Sequence, residues 1–152
     1  MVMGSPYTYT GGELKPGFTV MISGRSLAAA NYDVAYSNNV NVGTATITVT
    51  GKGNYKGTIT EKFTIQAKPL KDVSVTYANL MSYTGKQVCP EVKVMDGAVE
   101  LKQNVDYDVS YQNNTEVTTS ARIKITGKGN YTGTIDRYFS IQKQEINLKD
   151  AE

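Results

Sequence analysis

The chain has 152 residues and a formal net charge of +2, with 16 basic and 14 acidic side chains, no histidine and a single cysteine, Cys89. This small, scattered charge argues against a nucleic-acid partner, and no apolar stretch is long enough for insertion into a membrane. The absence of histidine removes the usual general base and the commonest zinc ligand, so composition favours a protein that is not an enzyme and has no cofactor or metal.

A ten-residue string occurs twice. Residues 50–59 read Thr-Gly-Lys-Gly-Asn-Tyr-Lys-Gly-Thr-Ile, and residues 126–135 differ from them only in having Thr132 in place of the second lysine. The separation between matching residues grows from 74 at Tyr9 and Tyr83 to 76 at Gln66 and Gln142. Single-residue insertions belong in loops, because an extra residue in a strand moves every later side chain to the other face. The chain is therefore predicted to be two copies of one module.

The repeat also predicts the domain boundaries. The first copy is expected at residues 1–67 and the second at 68–142. Leu70-Lys71-Asp72 opens the second copy and recurs as Leu148-Lys149-Asp150, so residues 143–152 are expected to be a linker and the start of a further repeat. Because the first copy starts late, we expect its first strand to be truncated and the chain to be a piece of a longer array.

The predicted elements of each copy are short strands, because polar and apolar residues alternate and no helical period is visible. A hairpin turn is expected at Ser23-Gly24, matched by Asp96-Gly97. Glu61 and its counterpart Arg137 share a face with apolar residues, which indicates a sheet margin or a bulge. Six or seven strands per copy predict an all-β sandwich. In chain order, the strands are expected at 18–22, 32–36, 44–50 and 58–65 in the first copy and at 91–95, 107–111, 120–126 and 134–141 in the second.

Three segments of the second copy carry a family resemblance. They are Tyr83-Thr84-Gly85, the run from Asp106 to Asn114 (Asp-Tyr-Asp-Val-Ser-Tyr-Gln-Asn-Asn), and the run from Ile125 to Thr134 that contains Gly-Lys-Gly-Asn-Tyr. This pattern resembles bacterial immunoglobulin-like repeats, which occur in tandem in surface proteins of Gram-positive gut bacteria. The resemblance implies two tandem immunoglobulin-like β-sandwich domains in an elongated arrangement. It also implies an extracellular, wall-associated protein and supplies no catalytic residues.

The residues that follow each Gly-Lys-Gly turn are candidate ligand contacts. Exposed tyrosines can stack on sugar rings or on partner side chains, whereas buried ones close the core and bond their hydroxyl to the backbone. Tyr55 and Tyr131 are expected to close the core, and Tyr9 and Tyr83 are expected to be the most exposed tyrosines. The Gly-Lys-Gly segments lack the spacing and the helix of a phosphate loop and are read as turns. The candidate contact residues are Tyr9, Tyr55, Tyr83, Tyr131, Lys52 and Lys128.

Two other groups have simple interpretations. Asp106 and Asp108 with Asn113 and Asn114 contain oxygen ligands suited to calcium, but no calcium-loop pattern is present, and capping and turn roles are favoured. Cys89 has no counterpart in the first copy and no histidine to activate it, so it is read as a small, semi-buried residue.

These observations favour a structural spacer that holds another domain away from the cell wall, with neighbouring repeats of the same parent chain as its partners. Each copy closes its own core, and the short linker Ala67-Lys68-Pro69 restricts bending between them. The alternative is an adhesion module that binds a glycan or a host surface protein through exposed tyrosines and end loops. An enzyme would need paired carboxylates in a cleft, which small sandwiches rarely enclose.

Overall fold

The chain folds as an all-β protein that divides into two compact units, Met1–Lys68 and Pro69–Glu152. A computed structural model describes residue 4 and residues 6–147. The boundary between the units lies one residue after the position predicted from the repeat. The recurrence Leu148-Lys149-Asp150, read as the start of a further repeat, lies outside the described residues, as do Met1 to Met3 and Ser5.

The first unit contains a four-stranded sheet and a separate hairpin. The sheet has the order β1-β6-β5-β4, with β1 parallel to β6 and the other pairs antiparallel, and the hairpin is β2-β3. A 3-10 helix at Ala29–Asn31 precedes β4. The strands are β1 (Tyr7–Thr8), β2 (Met21–Ile22), β3 (Arg25–Ser26), β4 (Tyr32–Ser37), β5 (Gly43–Gly51) and β6 (Thr58–Gln66).

The second unit repeats this plan with additional strands, the first of which begins at Lys68, the last residue of the first unit. Its strands are β7 (Lys68–Pro69), β8 (Ser74–Thr76), β9 (Leu80–Ser82), β10 (Lys93–Asp96), β11 (Val99–Glu100), β12 (Tyr107–Gln112), β13 (Thr118–Gly127), β14 (Tyr131–Thr132) and β15 (Thr134–Gln142), with a 3-10 helix at Leu70–Asp72 after β7. They form three sheets with the orders β12-β13-β15-β9, β11-β10-β8 and β14-β7. As in the first unit, the last long strand carries a short parallel neighbour at its end, here β9.

Each unit buries its own set of apolar side chains at corresponding positions, as the alternating pattern predicts. The cores contain Val20, Ala45, Ile47, Val49, Phe63 and Ile65 in the first unit, and Val94, Ala121, Ile123, Ile125, Phe139 and Ile141 in the second. Threonines, lysines and aspartates of the same strands lie on the other face because successive side chains of a strand alternate. Two sheets or hairpins around one core in each unit are consistent with a β-sandwich.

Glu61 and Arg137 pair regularly, opposite Ile47 and Ile123. The bulge interpretation is wrong for Glu61, and in the second unit the register shift lies between Thr118 and Ala121, beyond the pair that Ala121 makes with Phe139. The margin interpretation is confirmed, because β1 and β9 pair only with the last residues of β6 and β15. At Glu61 and Arg137 no other described strand covers the outer edge.

The hairpin between β10 and β11 turns one residue later than expected. Asp96 pairs with Val99, so the turn residues are Gly97 and Ala98, and Asp96 is the last residue of β10. In the first unit the turn is at Ser23 and Gly24, as predicted, and both have positive φ. The strand predicted from residue 18 is also shorter, since β2 contains only Met21 and Ile22. Among the described residues, no helix has the length and apolar character needed to cross a membrane.

Candidate functional site

The Gly-Lys-Gly-Asn-Tyr segments form the same turn in both units. In the first unit the amide of Gly51 donates to the carbonyl of Gly57 at 2.9 Å, and the amide of Tyr55 donates to the carbonyl of Lys52 at 3.2 Å. The same two bonds recur in the second unit, from Gly127 to Gly133 and from Tyr131 to Lys128. Gly53 and Gly129, with φ of 66° and 62°, supply the left-handed backbone that the turn requires. The turn interpretation is confirmed.

Lys52 and Lys128 make matching ion pairs with strand residues. The Nζ of Lys52 lies 2.7 Å from Oδ1 of Asp33, and the Nζ of Lys128 lies 3.1 Å from Oδ1 of Asp108. Each pair joins the turn to the first residues of β4 or β12. All four side chains are largely exposed, so each pair contributes little to stability. The repeat of both partners indicates a structural role for these lysines.

Tyr55 and Tyr131 occupy matching positions but different environments. Tyr131 is 6% exposed, and its hydroxyl donates to Oδ2 of Asp96 at 3.1 Å. Its ring closes the core as expected, with a carboxylate acceptor that the sequence analysis did not anticipate. Tyr55 is 37% exposed, and the residue in the position of Asp96 is Ile22. The expectation that Tyr55 closes its core is therefore wrong.

Tyr9 and Tyr83 are half-buried beside the ends of β6 and β15. Their amides donate to the carbonyls of Gln66 and Gln142, both at 2.9 Å, and the ring of Tyr9 packs against the first core. The prediction that these are the most exposed tyrosines is wrong, because Tyr55 and Tyr138 are more exposed. Of the four candidate tyrosines, Tyr55 alone is classed as exposed.

A feature that the sequence analysis missed is a latch formed by Tyr-x-Asn-Asn in each unit. In the second unit the hydroxyl of Tyr111 donates to the carbonyl of Pro90 at 2.6 Å, and Nδ2 of Asn114 donates to the carbonyl of Val88 at 3.0 Å. The amide of Val88 in turn donates to the carbonyl of Asn114 at 2.7 Å. Asn113 supplies a positive φ of 52° between them. The recurrence of both asparagines in the two copies is the sequence signal that could have identified the latch.

The first unit contains the same latch. The hydroxyl of Tyr36 donates to the carbonyl of Pro16 at 3.2 Å, and Nδ2 of Asn39 donates to the carbonyl of Leu14 at 3.0 Å. Asn39 and Asn114 are the polar side chains that are buried in the part of the chain that the structure describes. The latch thus joins the end of β4 to the loop that precedes β2 in the first unit, and the end of β12 to the loop that precedes β10 in the second.

The latch tyrosine of the second unit lies in a poorly solvated environment. Burial, with smaller contributions from Cys89 and Tyr107, raises the pKa of Tyr111. Burial also raises the pKa of Tyr107, with further contributions from the carboxylates of Glu100, Asp106 and Glu91. Both shifts favour the neutral hydroxyl, which is the form that donates to the carbonyls of Pro90 and Val92.

The carboxylates considered for calcium have separate structural roles. Oδ2 of Asp106 accepts from the amide of Lys102 at 2.8 Å, Asp108 pairs with Lys128, and Asn114 is buried in its latch. Within residues 4 and 6–147, no three metal-ligating side chains form a group suited to an ion. Cys89 is exposed, which corrects the prediction of a semi-buried thiol.

Comparisons with protein-family models, with curated proteins and with solved structures found no significant match to this chain.

Proposed function

We propose that the chain is a pair of tandem immunoglobulin-like repeats serving as a non-enzymatic spacer in an extracellular or wall-associated bacterial protein. One observation carries the proposal: both repeats bury their own core at corresponding positions and keep the same turn, ion pair and latch. Residues that repeat in this way hold the module together. A tandem module of this kind suits the separation and display of a neighbouring domain.

The spacer role requires an elongated pair of units with limited bending between them. Pro69, with φ of −64°, fixes the backbone at the junction and biases Lys68 toward an extended conformation. Small-angle scattering of the whole chain should therefore give a maximum dimension close to the summed lengths of two units. A compact particle for the unmodified chain would contradict the spacer proposal.

A second candidate function is adhesion, with a glycan or a host surface protein as the ligand. The observation that favours it is the exposed ring of Tyr55 beside an apolar crevice. Screening against glycans and matrix proteins, followed by Tyr55→Ala, tests this function. Tyr138→Ala, which removes another exposed tyrosine on the second unit, is the matched control. A hit that both variants retain would exclude Tyr55 as the contact.

A further inference from the structure

The first unit has an apolar crevice that opens to solvent. Its volume is about 210 Å³. Three of its lining side chains are large, apolar and exposed: Ile59 at 47%, Ile22 at 43% and Tyr55 at 37%. Val20, Tyr32 and Val49 also line the crevice and belong to or pack on the core of the unit. Among the described residues, none covers this side of the core of the first unit.

The matching place in the second unit is closed. Ile135 and Tyr131 are the counterparts of Ile59 and Tyr55, yet they are only 8% and 6% exposed. The strings around the two pairs are nearly identical, so local sequence does not account for this difference.

The closing segment of the second unit is residues 68–76. Its 3-10 helix, Leu70–Asp72, packs against β15, and its side chains Leu70 and Val73 are 1% and 8% exposed. On one side of this helix, β7 pairs with β14, which contains Tyr131. On the other side, β8 pairs antiparallel with β10, with Val75 opposite Val94. Residues 68–76 thus pair with both β14 and β10. The counterparts of these strands in the first unit, Tyr55-Lys56 and β2, border the crevice.

No described residue of the first unit takes this position. Strand β2, the counterpart of the end of β10, pairs with β3 alone among the described strands. The described segment Tyr55-Lys56, the counterpart of β14, is not part of a sheet. The edge of β2 and the apolar crevice therefore lie side by side. In the second unit, residues 68–76 cover the corresponding edge and apolar side chains.

We propose that the first unit binds an extended polypeptide segment of the type found at residues 68–76, which adds to the edge of β2 and places apolar side chains in the crevice. Backbone hydrogen bonds to a strand edge supply affinity, and pockets for particular side chains supply specificity. The occupant carries branched aliphatic side chains at the positions of Leu70, Val73 and Val75. This activity goes beyond the spacer function and does not depend on it.

The proposal is tested with a synthetic peptide of residues 68–77, labelled at its amino terminus and titrated with the whole chain in an anisotropy assay. Saturable binding is expected, and the resonances of Ile59 and Tyr55 should shift while those of Ile135 and Tyr131 do not. A peptide with aspartate at the positions of Leu70 and Val73 should bind at least tenfold more weakly, because it places charge in an apolar crevice.

Variants of the chain locate the binding site. Ile59→Lys should weaken peptide binding at least tenfold, and Val99→Lys, at an exposed position of the second unit, should leave it unchanged. Tyr55→Ala provides an independent variant if Ile59→Lys does not fold. Absence of binding at millimolar peptide, or equal binding of the aspartate peptide, would overturn the proposal. Self-association of the chain that protects Ile59 and resists the peptide would also overturn it, in favour of a second copy as the occupant.

Discussion

Asn39 and Asn114 are buried amides that hold the loop residues Leu14 and Val88 against the ends of β4 and β12. A buried carbonyl that loses its donor costs free energy because water cannot replace the lost hydrogen bond. Aspartate would place a charge at the same position, and leucine would leave the loop carbonyl unpaired. The latch therefore explains why an amide follows a left-handed asparagine in both repeats.

Replacing the latch amide of the second unit, with Asn114→Ala, should lower the free energy of unfolding by about 1–3 kcal/mol. The loss comes from the unpaired carbonyl of Val88. Urea denaturation measures it, and Glu116→Ala, at an exposed position of the following loop, is the control with an expected change of about 0.5 kcal/mol or less. If both variants unfold at the same urea concentration, the amide is not a latch.

Single residues also mark the limit of prediction from sequence. Tyr55 and Tyr131 follow identical turns, so the repeat predicts the same role for both. Tyr131 lies in β14, which pairs with β7 from a distant part of the chain, whereas the described segment Tyr55-Lys56 is not part of a sheet. Asp96 as the partner of Tyr131 was likewise hidden, because the position of the hairpin turn decides where its carboxylate lies.

At the scale of single elements, the turn between β5 and β6 depends on close backbone contact. A Cβ at Gly51 would lie 3.0 Å from the amide nitrogen of Lys56, and a Cβ at Gly127 would lie 2.7 Å from that of Thr132. Neither glycine is required for a positive φ. Both are required because the chain folds back over them, which the hydrogen bonds from Gly51 to Gly57 and from Gly127 to Gly133 fix in place.

Gly51→Ala and Gly127→Ala should each destabilise their unit by about 1–3 kcal/mol, since the backbone must shift to admit the methyl group. Gly127→Ala should be the more damaging of the two because its contacts are shorter. Gly17→Ala serves as the control, because a Cβ at that position meets nothing within 4 Å. Thermal denaturation compares the three variants. A control that loses as much stability as Gly51→Ala would exclude backbone crowding as the cause.

Strand positions were largely predictable, and short edge elements were not. The alternation in β5 and β13 identified the inward residues correctly, because a strand between two neighbours must alternate between its faces. Strand β2 was predicted to begin at Phe18 and contains only two residues. Hydrophobic alternation reports which face is buried, whereas the length of a strand depends on the partner that its edge finds.

At the scale of the whole molecule, each unit has a separate core, so damage to one core should remain local. Ile47 and Ile123 are fully buried counterparts. Ile47→Val should lower the stability of the first unit by about 0.5–1.5 kcal/mol, and Ile123→Val should do the same to the second unit alone. Native-state hydrogen exchange measures both units in one sample. Equal loss of protection in both units from either substitution would show that they unfold as one.

Tandem copies of similar sequence face a particular danger, since a strand of one chain can pair with the open edge of another and begin aggregation. Glu61 and Arg137 stand on the apolar-side positions of β6 and β15, where no described strand covers the edge. Pairing with an apolar strand would bring these charges against apolar side chains, which is costly. The two residues that break the alternating pattern are therefore of the charged kind that disfavours pairing at an open strand edge.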